Sequence, residues 1–235
     1  MTDPVMEATG ITKDLGHGVA KIRALKGVDL SLRGGELTLL MGPSGSGKTT
    51  LLSILGCMLT PTEGTVRVRG DSIAGKNPED LAKLRRENIG FVFQSYHLFP
   101  TLSAADNVRL ALDVRGETGK AAKDKSAAAL ASVGLSGKTR NYPNQLSGGE
   151  QQRVAIARAV VGDPSVILAD EPTAALDSEN GKAIMTILAE IAKDPGRGVL
   201  VVTHDPRLVP YAGRIVHIED GNIVREESGG AARKS

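Results

Sequence analysis

Apolar and polar positions follow two different periods along this chain. Residues 166–169 and 199–202 are fully apolar runs without alternation, a pattern typical of strands that helices cover on both faces. Between them, apolar residues recur at helical spacing over 181–193, with Asp177 or Ser178 as the expected N-cap. The pattern predicts an α/β fold with a mainly parallel central sheet.

Two hairpins are expected at the edges of this α/β pattern. Apolar runs on either side of Gly34-Gly35 predict an opening hairpin, and Asp220-Gly221 is a strong type I′ turn signal for a closing one. An antiparallel β part should therefore accompany the parallel sheet.

Residues 71–145 favour helices. Asn77-Pro78 is a typical helix start, and an alanine-rich stretch over 121–133 predicts a second helix. We therefore expect a single domain over 1–225, with a helical subdomain at roughly 95–160 inserted before a glycine-rich turn. The polar residues 226–235 are expected to form a flexible tail.

Net charge, apolar stretches and cysteine content limit the classes of function that this chain can have. The formal charge of +2 gives no basic field, so nucleic acid is not an expected partner. The longest apolar stretch, 51–59, is about half as long as a membrane span requires. The single cysteine, Cys57, lies among apolar residues and is expected to be a buried structural thiol.

A glycine-rich loop follows the apolar strand that ends at Met41. It satisfies the phosphate-loop pattern G-x-x-x-x-G-K-[ST] with the residues Gly42, Pro43, Ser44, Gly45, Ser46, Gly47, Lys48 and Thr49, and Thr50 continues into a helix. Backbone N–H groups of such a loop bind polyphosphate, the lysine neutralises the β- and γ-phosphates, and the Thr49 hydroxyl would ligate Mg²⁺. The loop predicts nucleotide binding without separating kinases, GTPases and ATPases.

Two carboxylates follow the apolar run 166–169. Asp170 and Glu171 should lie at the carboxyl end of a buried strand, where open α/β sheets bind ligands. Asp170 is suited to the Mg²⁺ shell and Glu171 to polarising a water for attack on the γ-phosphate. Because no guanine-reading Asn-Lys-x-Asp sequence is present, ATP is favoured.

A second glycine-rich turn enters a helix at Ser147, Gly148, Gly149 and Glu150. Its hydroxyl and amides could bind anionic oxygens, and Ser147 with Glu150 also fits a capping box.

These motifs, in this order, resemble the ATP-binding subunits of ATP-binding cassette (ABC) transporters, and the resemblance covers about residues 7–225. The resemblance rests on the phosphate loop, on the strand that ends in Asp170 and Glu171, and on the second glycine-rich turn, whose residues 146–150 match the signature motif of the family. It rests also on Gln94, on Asp177 in Ala-Ala-Leu-Asp and on His204. It implies a head-to-tail homodimer in which Ser147 and Gly149 of one copy contact the γ-phosphate of ATP held by the other.

The same resemblance implies roles for single residues. Gln94 would touch Mg²⁺ and sense a transmembrane partner, Glu171 would be the general base, and His204 would hold the γ-phosphate and the attacking water. Asp177 would communicate across the dimer. ATP and Mg²⁺ are the expected cofactors.

Two positions depart from the family pattern. No aromatic residue stands where the family stacks adenine, so we expect Leu15 or His17 to cover the base with weaker packing. Ala174 replaces a more usual serine, which puts one hydrogen bond across the dimer in doubt.

Four of the six aromatic residues crowd around Gln94. Phe91 and Phe93 alternate on a strand and are expected in the core, whereas Tyr96 and Phe99 follow it into an irregular segment. We expect an integral membrane permease to dock near residues 94–99, because aromatics are enriched at interfaces.

Within the family, the chain resembles most the lipoprotein-release and macrolide-export type. We therefore expect a subunit held at the cytoplasmic face of the cell membrane by a separate permease, as part of an exporter or a lipoprotein-release/macrolide-export type complex. The ATPase subunit of an amino-acid-type importer is one alternative, and a soluble cassette ATPase without a transport role is another. Neither cargo nor direction is visible in the residues.

Overall fold

The computed structural model describes residues 4–16 and 21–230. Two sheets form the framework. The first is antiparallel, in the order β2-β1-β4-β5, and the second has six strands in the order β10-β9-β3-β8-β7-β6. The strands are β1 (Pro4–Leu15), β2 (Ile22–Arg33), β3 (Glu36–Met41), β4 (Glu63–Val68), β5 (Asp71–Ser72), β6 (Ile89–Val92), β7 (Val166–Asp170), β8 (Gly198–Thr203), β9 (Arg214–Glu219) and β10 (Asn222–Ser228).

The six-stranded sheet is parallel except at the β9–β10 hairpin. The apolar runs predicted to be central form β7 and β8, which lie inside this sheet. Alternate side chains enter two separate cores: Leu168 packs towards the antiparallel sheet, and Ile167 packs towards the helices on the opposite face. The mainly parallel α/β fold with an antiparallel part is confirmed.

Six helices connect the strands within the described residues. They are α1 (Lys48–Leu55), α2 (Pro78–Asn88), α3 (Ala104–Asp113), α4 (Gly119–Ser132), α5 (Gly148–Val160) and α6 (Ser178–Ala192). Asn77 caps α2 and Asp177 caps α6 through side-chain oxygens, as their sequence positions predict. Helices α3, α4 and α5 pack on one another after Gln94, where the sequence predicts a helical insert. None of the helices in these described ranges is long and apolar enough to cross a membrane.

The opening hairpin is not formed as predicted. Strands β2 and β3 flank Gly34-Gly35 but belong to different sheets, and β2 instead pairs with β1. The Gly35 amide donates to the carbonyl oxygens of Asp194 and Arg197, which fixes the turn to the segment before β8. The glycines therefore carry the chain from one sheet into the other.

The flexible tail predicted for residues 226–235 is wrong for its first three residues, which belong to a strand. Residues 226–228 continue β10 and pair with residues 214–216 of β9. Their sequence, Glu-Glu-Ser, has no apolar alternation, so the strand is stabilised by backbone pairing and by ion pairs such as His217 Nε2 with Glu227 Oε1 at 2.9 Å. Residues 231–235 lie outside the described part of the chain.

Candidate functional site

The phosphate loop connects β3 to α1 as predicted. Gly47 adopts φ +99°, and a Cβ there would lie 2.8 Å from the Ala24 carbonyl oxygen and from Leu25 Cδ2. A Cβ on Gly42 would lie 2.1 Å from the Ile218 carbonyl oxygen. Close backbone packing therefore requires both glycines, and the left-handed conformation at Gly47 requires a glycine there as well.

The N-terminus of α1 is open to a ligand. Gly47, its N-cap, supplies no side chain to bond the first amides of the helix, and no acidic residue lies in the first turn. These amides and the positive end of the helix dipole favour an anion at this place.

Lys48 is buried and folds back over the loop. Its Nζ donates to the carbonyl oxygens of Gly42 at 2.8 Å and Pro43 at 2.6 Å, and lies 3.4 Å from Ser46 Oγ. Burial lowers the pKa of this ammonium, and the nearby carboxylates of Glu171 and Asp170 oppose that effect. The lysine thus holds the loop closed and places a positive charge beside it.

The two expected carboxylates stand at the carboxyl end of β7, which lies across β8 from β3: Asp170 is the last residue of the strand, and Glu171 follows it. Burial raises the pKa of Asp170, and the neighbouring charge of Glu171 raises it further, while Lys48 acts in the opposite direction. Such a crowded, partly desolvated pair is stabilised when a cation is bound.

Glu171 is held in a strained backbone conformation. Its φ of +45° lies in the left-handed region, which is unfavourable for a residue with a side chain. Glu171 Oε1 lies 2.7 Å from His204 Nδ1, and Thr203 Oγ1 donates to Oε2 at 3.4 Å. The carboxylate is therefore oriented by the end of β8, although the His204 ring itself remains largely exposed.

A cleft of about 930 Å³ joins these groups. Of the predicted site residues, its wall contains Leu15, Pro43, Ser44, Gly45, Gly47, Lys48, Thr49, Thr50, Gln94, Glu171 and His204. Gly42, Ser46 and Asp170 do not line this cleft. His17, the second residue expected to cover adenine, lies outside the described residues.

The donors predicted for Mg²⁺ fit that ion. A hydroxyl, an amide oxygen and a carboxylate, from Thr49, Gln94 and Asp170, are the hard oxygen ligands that Mg²⁺ prefers. Burial and the neighbouring Glu171 charge raise the pKa of the Asp170 carboxyl, and a cation bound beside it would offset both effects. No group of three or more His, Cys, Asp or Glu residues suited to a metal occurs within residues 4–16 and 21–230.

The second glycine-rich turn lies apart from this cleft. Ser147, Gly148, Gly149 and Glu150 are absent from its wall. Ser147 Oγ accepts from the Glu150 amide at 3.3 Å, and Glu150 Oε2 accepts from the Ser147 amide at 2.8 Å, so the predicted capping box is present. One copy of the chain therefore does not bring the turn to its own phosphate loop.

The sequence patterns do not identify several residues that line the cleft. Ile22, Arg23 and Ala24 of β2 form the wall beside Leu15, and the turn Asp220-Gly221 closes it near the loop. The Gly221 amide donates to the Ser46 carbonyl oxygen, and its carbonyl accepts from the Lys26 amide. The turn itself is visible in the sequence, but its packing against a loop far away in the chain is not.

The aromatic residues around Gln94 are placed differently from the prediction. Phe91 and Phe93, expected in the core, are only half-buried and stack with ring centroids 4.4 Å apart. Both line a surface groove of about 470 Å³, and His97 stacks on Phe93 at 4.6 Å. Strand β6 is the edge of the six-stranded sheet and ends at Val92; Phe91 is its one half-buried residue and packs against the core, and Phe93 lies just beyond the strand.

A strand, glycine loop and helix that hold a buried lysine, next to strand-end carboxylates, define a phosphate-loop nucleotide-binding protein of the α/β class. Comparison with known families makes this more specific. The chain belongs to the ABC transporter family, which it matches over residues 25–174.

The chain is 45% identical over 229 residues to the pyoverdine export ATP-binding/permease protein PvdT of Pseudomonas fluorescens, covering 97% of this chain and 35% of that protein. It is 45% identical over 222 residues to the macrolide export ATP-binding/permease protein MacB of Shigella flexneri, covering 94% of this chain and 34% of that protein. The chain thus spans about a third of the length of these relatives.

Solved structures support the same family. The dimeric post-hydrolysis state of the ATP-binding cassette MJ0796, bound to ADP and Pi, superposes with a TM-score of 0.86 at 42% identity. That match covers 95% of this chain and 98% of the other. The dimeric structure of MJ0796, a bacterial ABC transporter cassette, gives the same TM-score and identity.

Proposed function

We propose that this chain hydrolyses ATP as a head-to-tail homodimer and thereby drives a membrane permease of the macrolide-export or lipoprotein-release type. The observation that carries the proposal is the Glu171–His204 pair, 2.7 Å apart on the same cleft wall as Lys48 and Thr49. Residues 1–225 would act as a single nucleotide-binding domain with a helical subdomain at about 95–160.

The proposed chemistry follows from the positions of these side chains. The amides of the phosphate loop and Lys48 bind the phosphates. Thr49, Gln94 and Asp170 would hold Mg²⁺, which would add positive charge at the phosphates. Glu171 accepts the proton of the attacking water at its carboxylate. His204 orients this carboxylate through Nδ1 and would hold the γ-phosphate and the attacking water.

Two copies are needed because the second glycine-rich turn lies away from the nucleotide cleft of its own chain. A head-to-tail partner would bring Ser147 and Gly149 over the nucleotide. The dimeric structures of MJ0796, at 42% identity, support the pairing of two copies.

The activity is tested by Glu171→Gln and His204→Ala. We expect Glu171→Gln to bind ATP normally and to lose turnover, because only proton acceptance is removed. His204→Ala should lose most turnover while retaining Glu171. Full residual hydrolysis in Glu171→Gln would remove Glu171 from the role of base.

We further propose that the groove beside Phe91, Phe93 and His97 receives a cytoplasmic segment of the permease. The groove also contains Val114 and four arginines, namely Arg85, Arg86, Arg115 and Arg158. Among the described residues that line it there is no Asp or Glu. A docking segment that combines apolar side chains with a carboxylate would complement this surface.

Docking is tested by purification of the tagged chain from solubilised membranes. A permease with few spans and a large extracytoplasmic domain supports the proposed type, a multi-span permease with a solute-binding protein supports the importer alternative, and no membrane partner supports a non-transport ATPase. His97→Glu should release the permease, whereas Val224→Glu, at an exposed position of β10, should not. Equal recovery with both variants contradicts docking in the groove.

The relatives favour the first type, since PvdT and MacB are both export ATP-binding/permease proteins. The proposed location is the cytoplasmic face of the membrane, where ATP is present.

A further inference from the structure

Gln152 is a fully buried polar residue on α5 that the proposed chemistry does not use. Its Nε2 donates to the Pro172 carbonyl oxygen at 2.9 Å and lies 3.5 Å from the Phe93 carbonyl oxygen. Within the described residues its Oε1 has no hydrogen-bond partner. A buried side-chain amide with an unsatisfied oxygen lowers the free energy of unfolding. The two contacts made by its nitrogen must therefore contribute something that an apolar residue could not.

The two carbonyls belong to segments that carry expected site residues. Pro172 is the second residue of the Glu171 segment (residues 171–176). Phe93 is the first residue of the Gln94 segment (residues 93–97). The backbone pairing of β6 with β7 ends at Val92 and Ala169. Beyond this point the Gln152 amide bridges the two segments in place of the sheet.

The outer half of the Gln94 segment is fixed to the same helix. Arg158 donates from Nη1 to the His97 carbonyl oxygen at 2.6 Å and from Nη2 to the Tyr96 carbonyl oxygen at 2.7 Å. Tyr96 and His97 have φ of +59° and +49°. Two successive left-handed residues persist only where their surroundings hold them, and Arg158 supplies that hold.

A further contact reaches the start of α5. The Tyr96 hydroxyl would lie 2.9 Å from a Cβ placed on Gly148, so it covers the signature glycine closely. Helix α5 therefore contacts the Gln94 segment at Gly148, Gln152 and Arg158.

We infer that Gln152 is a positioning residue that ties the Glu171 segment to the Gln94 segment, so that movement of the Gln94 segment with α5 displaces the base. This inference rests on the proposed function only for its consequence in catalysis. The mechanical link between the two segments stands on the contacts alone.

The link is tested by amide hydrogen exchange on the purified chain without nucleotide. Gln152→Met keeps the length of the side chain and removes the donor, and Gln152→Glu places a carboxylate against both carbonyls. We expect the hydrogen-bonded amides of Tyr96, Ala174 and Leu176 to exchange about tenfold faster in both variants.

Gln151→Met is the matched control. Gln151 is adjacent and half-exposed, and its Nε2 bonds the Leu146 carbonyl oxygen at 3.1 Å. Exchange in the two segments should stay at the wild-type rate in this variant. Unchanged exchange in Gln152→Met, or acceleration of only one segment, would overturn the link.

The catalytic consequence has a separate readout. If the chain hydrolyses ATP, Gln152→Met should lower kcat about tenfold with KM for ATP unchanged, because the base is displaced while the phosphate loop is intact. A rise in KM with constant kcat, or unchanged kcat, would contradict the positioning role. An inactive wild-type chain would refute the proposed function, and the exchange experiment would still decide whether Gln152 links the segments.

Discussion

The adenine end of the cleft gives a prediction whose size follows from the structure. Leu15 is 40% exposed and Ile22 is 69% exposed, and both line the cleft beside Arg23. The base would therefore rest on aliphatic side chains rather than on an aromatic ring. Leu15→Tyr adds a stacking surface at this place without touching the phosphate loop.

The expected gain is about 1 kcal/mol, or about fivefold in Kd. Stacking of a base on an aromatic side chain is worth about 1–3 kcal/mol relative to alanine. Leucine already supplies part of that apolar contact, so only the remainder is gained. We therefore expect Leu15→Tyr to bind MgATP about fivefold more tightly, and Leu15→Ala to bind it more weakly than wild type.

The assay is calorimetric titration of the chain with MgATP and, in parallel, with tripolyphosphate. Tripolyphosphate lacks the base, so its affinity should be the same in all variants. Val224→Tyr is a control for adding an aromatic ring at an exposed strand position elsewhere. Unchanged ATP affinity in Leu15→Tyr, or an equal change for tripolyphosphate, would refute a role for Leu15 in covering adenine.

Further predictions concern the loop, the cysteine and a buried amide. Gly47→Ala should lower ATP affinity at least tenfold because its Cβ meets the Ala24 carbonyl, whereas Gly75→Ala, with nothing within 4 Å, should bind ATP normally in the same titration. Burial raises the pKa of Cys57 from 9.0 to about 11. The thiolate fraction of Cys57 at pH 8 is therefore about 100-fold lower than that of an ordinary cysteine, and its rate of alkylation should rise with pH up to about pH 11. The free energy of unfolding that the protonated thiol contributes is lost as the pH rises through about 11. An alkylation rate that reaches its plateau near pH 9 would contradict the raised pKa. Asn107→Ala should lower the free energy of unfolding in urea by about 2–4 kcal/mol, because its buried amide bonds Phe99 and two further carbonyls; a loss below about 0.5 kcal/mol would contradict that role.

Local patterns in the sequence predicted the parts of the fold that depend on them. The unbroken apolar run before Asp170 identified an internal strand, and the glycine spacing identified the loop around Lys48. Asp177 and Ser147 were recognisable as caps because capping depends on side chains within the next three residues.

Contacts between distant segments could not be predicted in the same way. Nothing near Gly34 in the sequence shows that the chain enters a second sheet there, since the partner of β2 is β1. Alternation predicts both Phe91 and Phe93 in the core, because it does not reveal that β6 is an edge strand that ends at Val92, before Phe93. The bridge formed by Gln152 depends on two carbonyls 20 and 59 residues away.

A second copy of the chain is proposed to complete the nucleotide site, and light scattering of Glu171→Gln variants measures whether it does. With MgATP, Glu171→Gln should shift from 24.5 kDa to about twice that mass. Adding Ser147→Arg should abolish the shift while calorimetric ATP binding persists, because Ser147 lies away from its own cleft.

Ser103→Arg is the matched control, since Ser103 also caps a helix by accepting from the Asp106 amide at 3.1 Å. In the Glu171→Gln chain it should lose a comparable cap and still dimerise. Dimerisation of the Ser147→Arg chain to the same extent as this control would contradict a site shared between two copies.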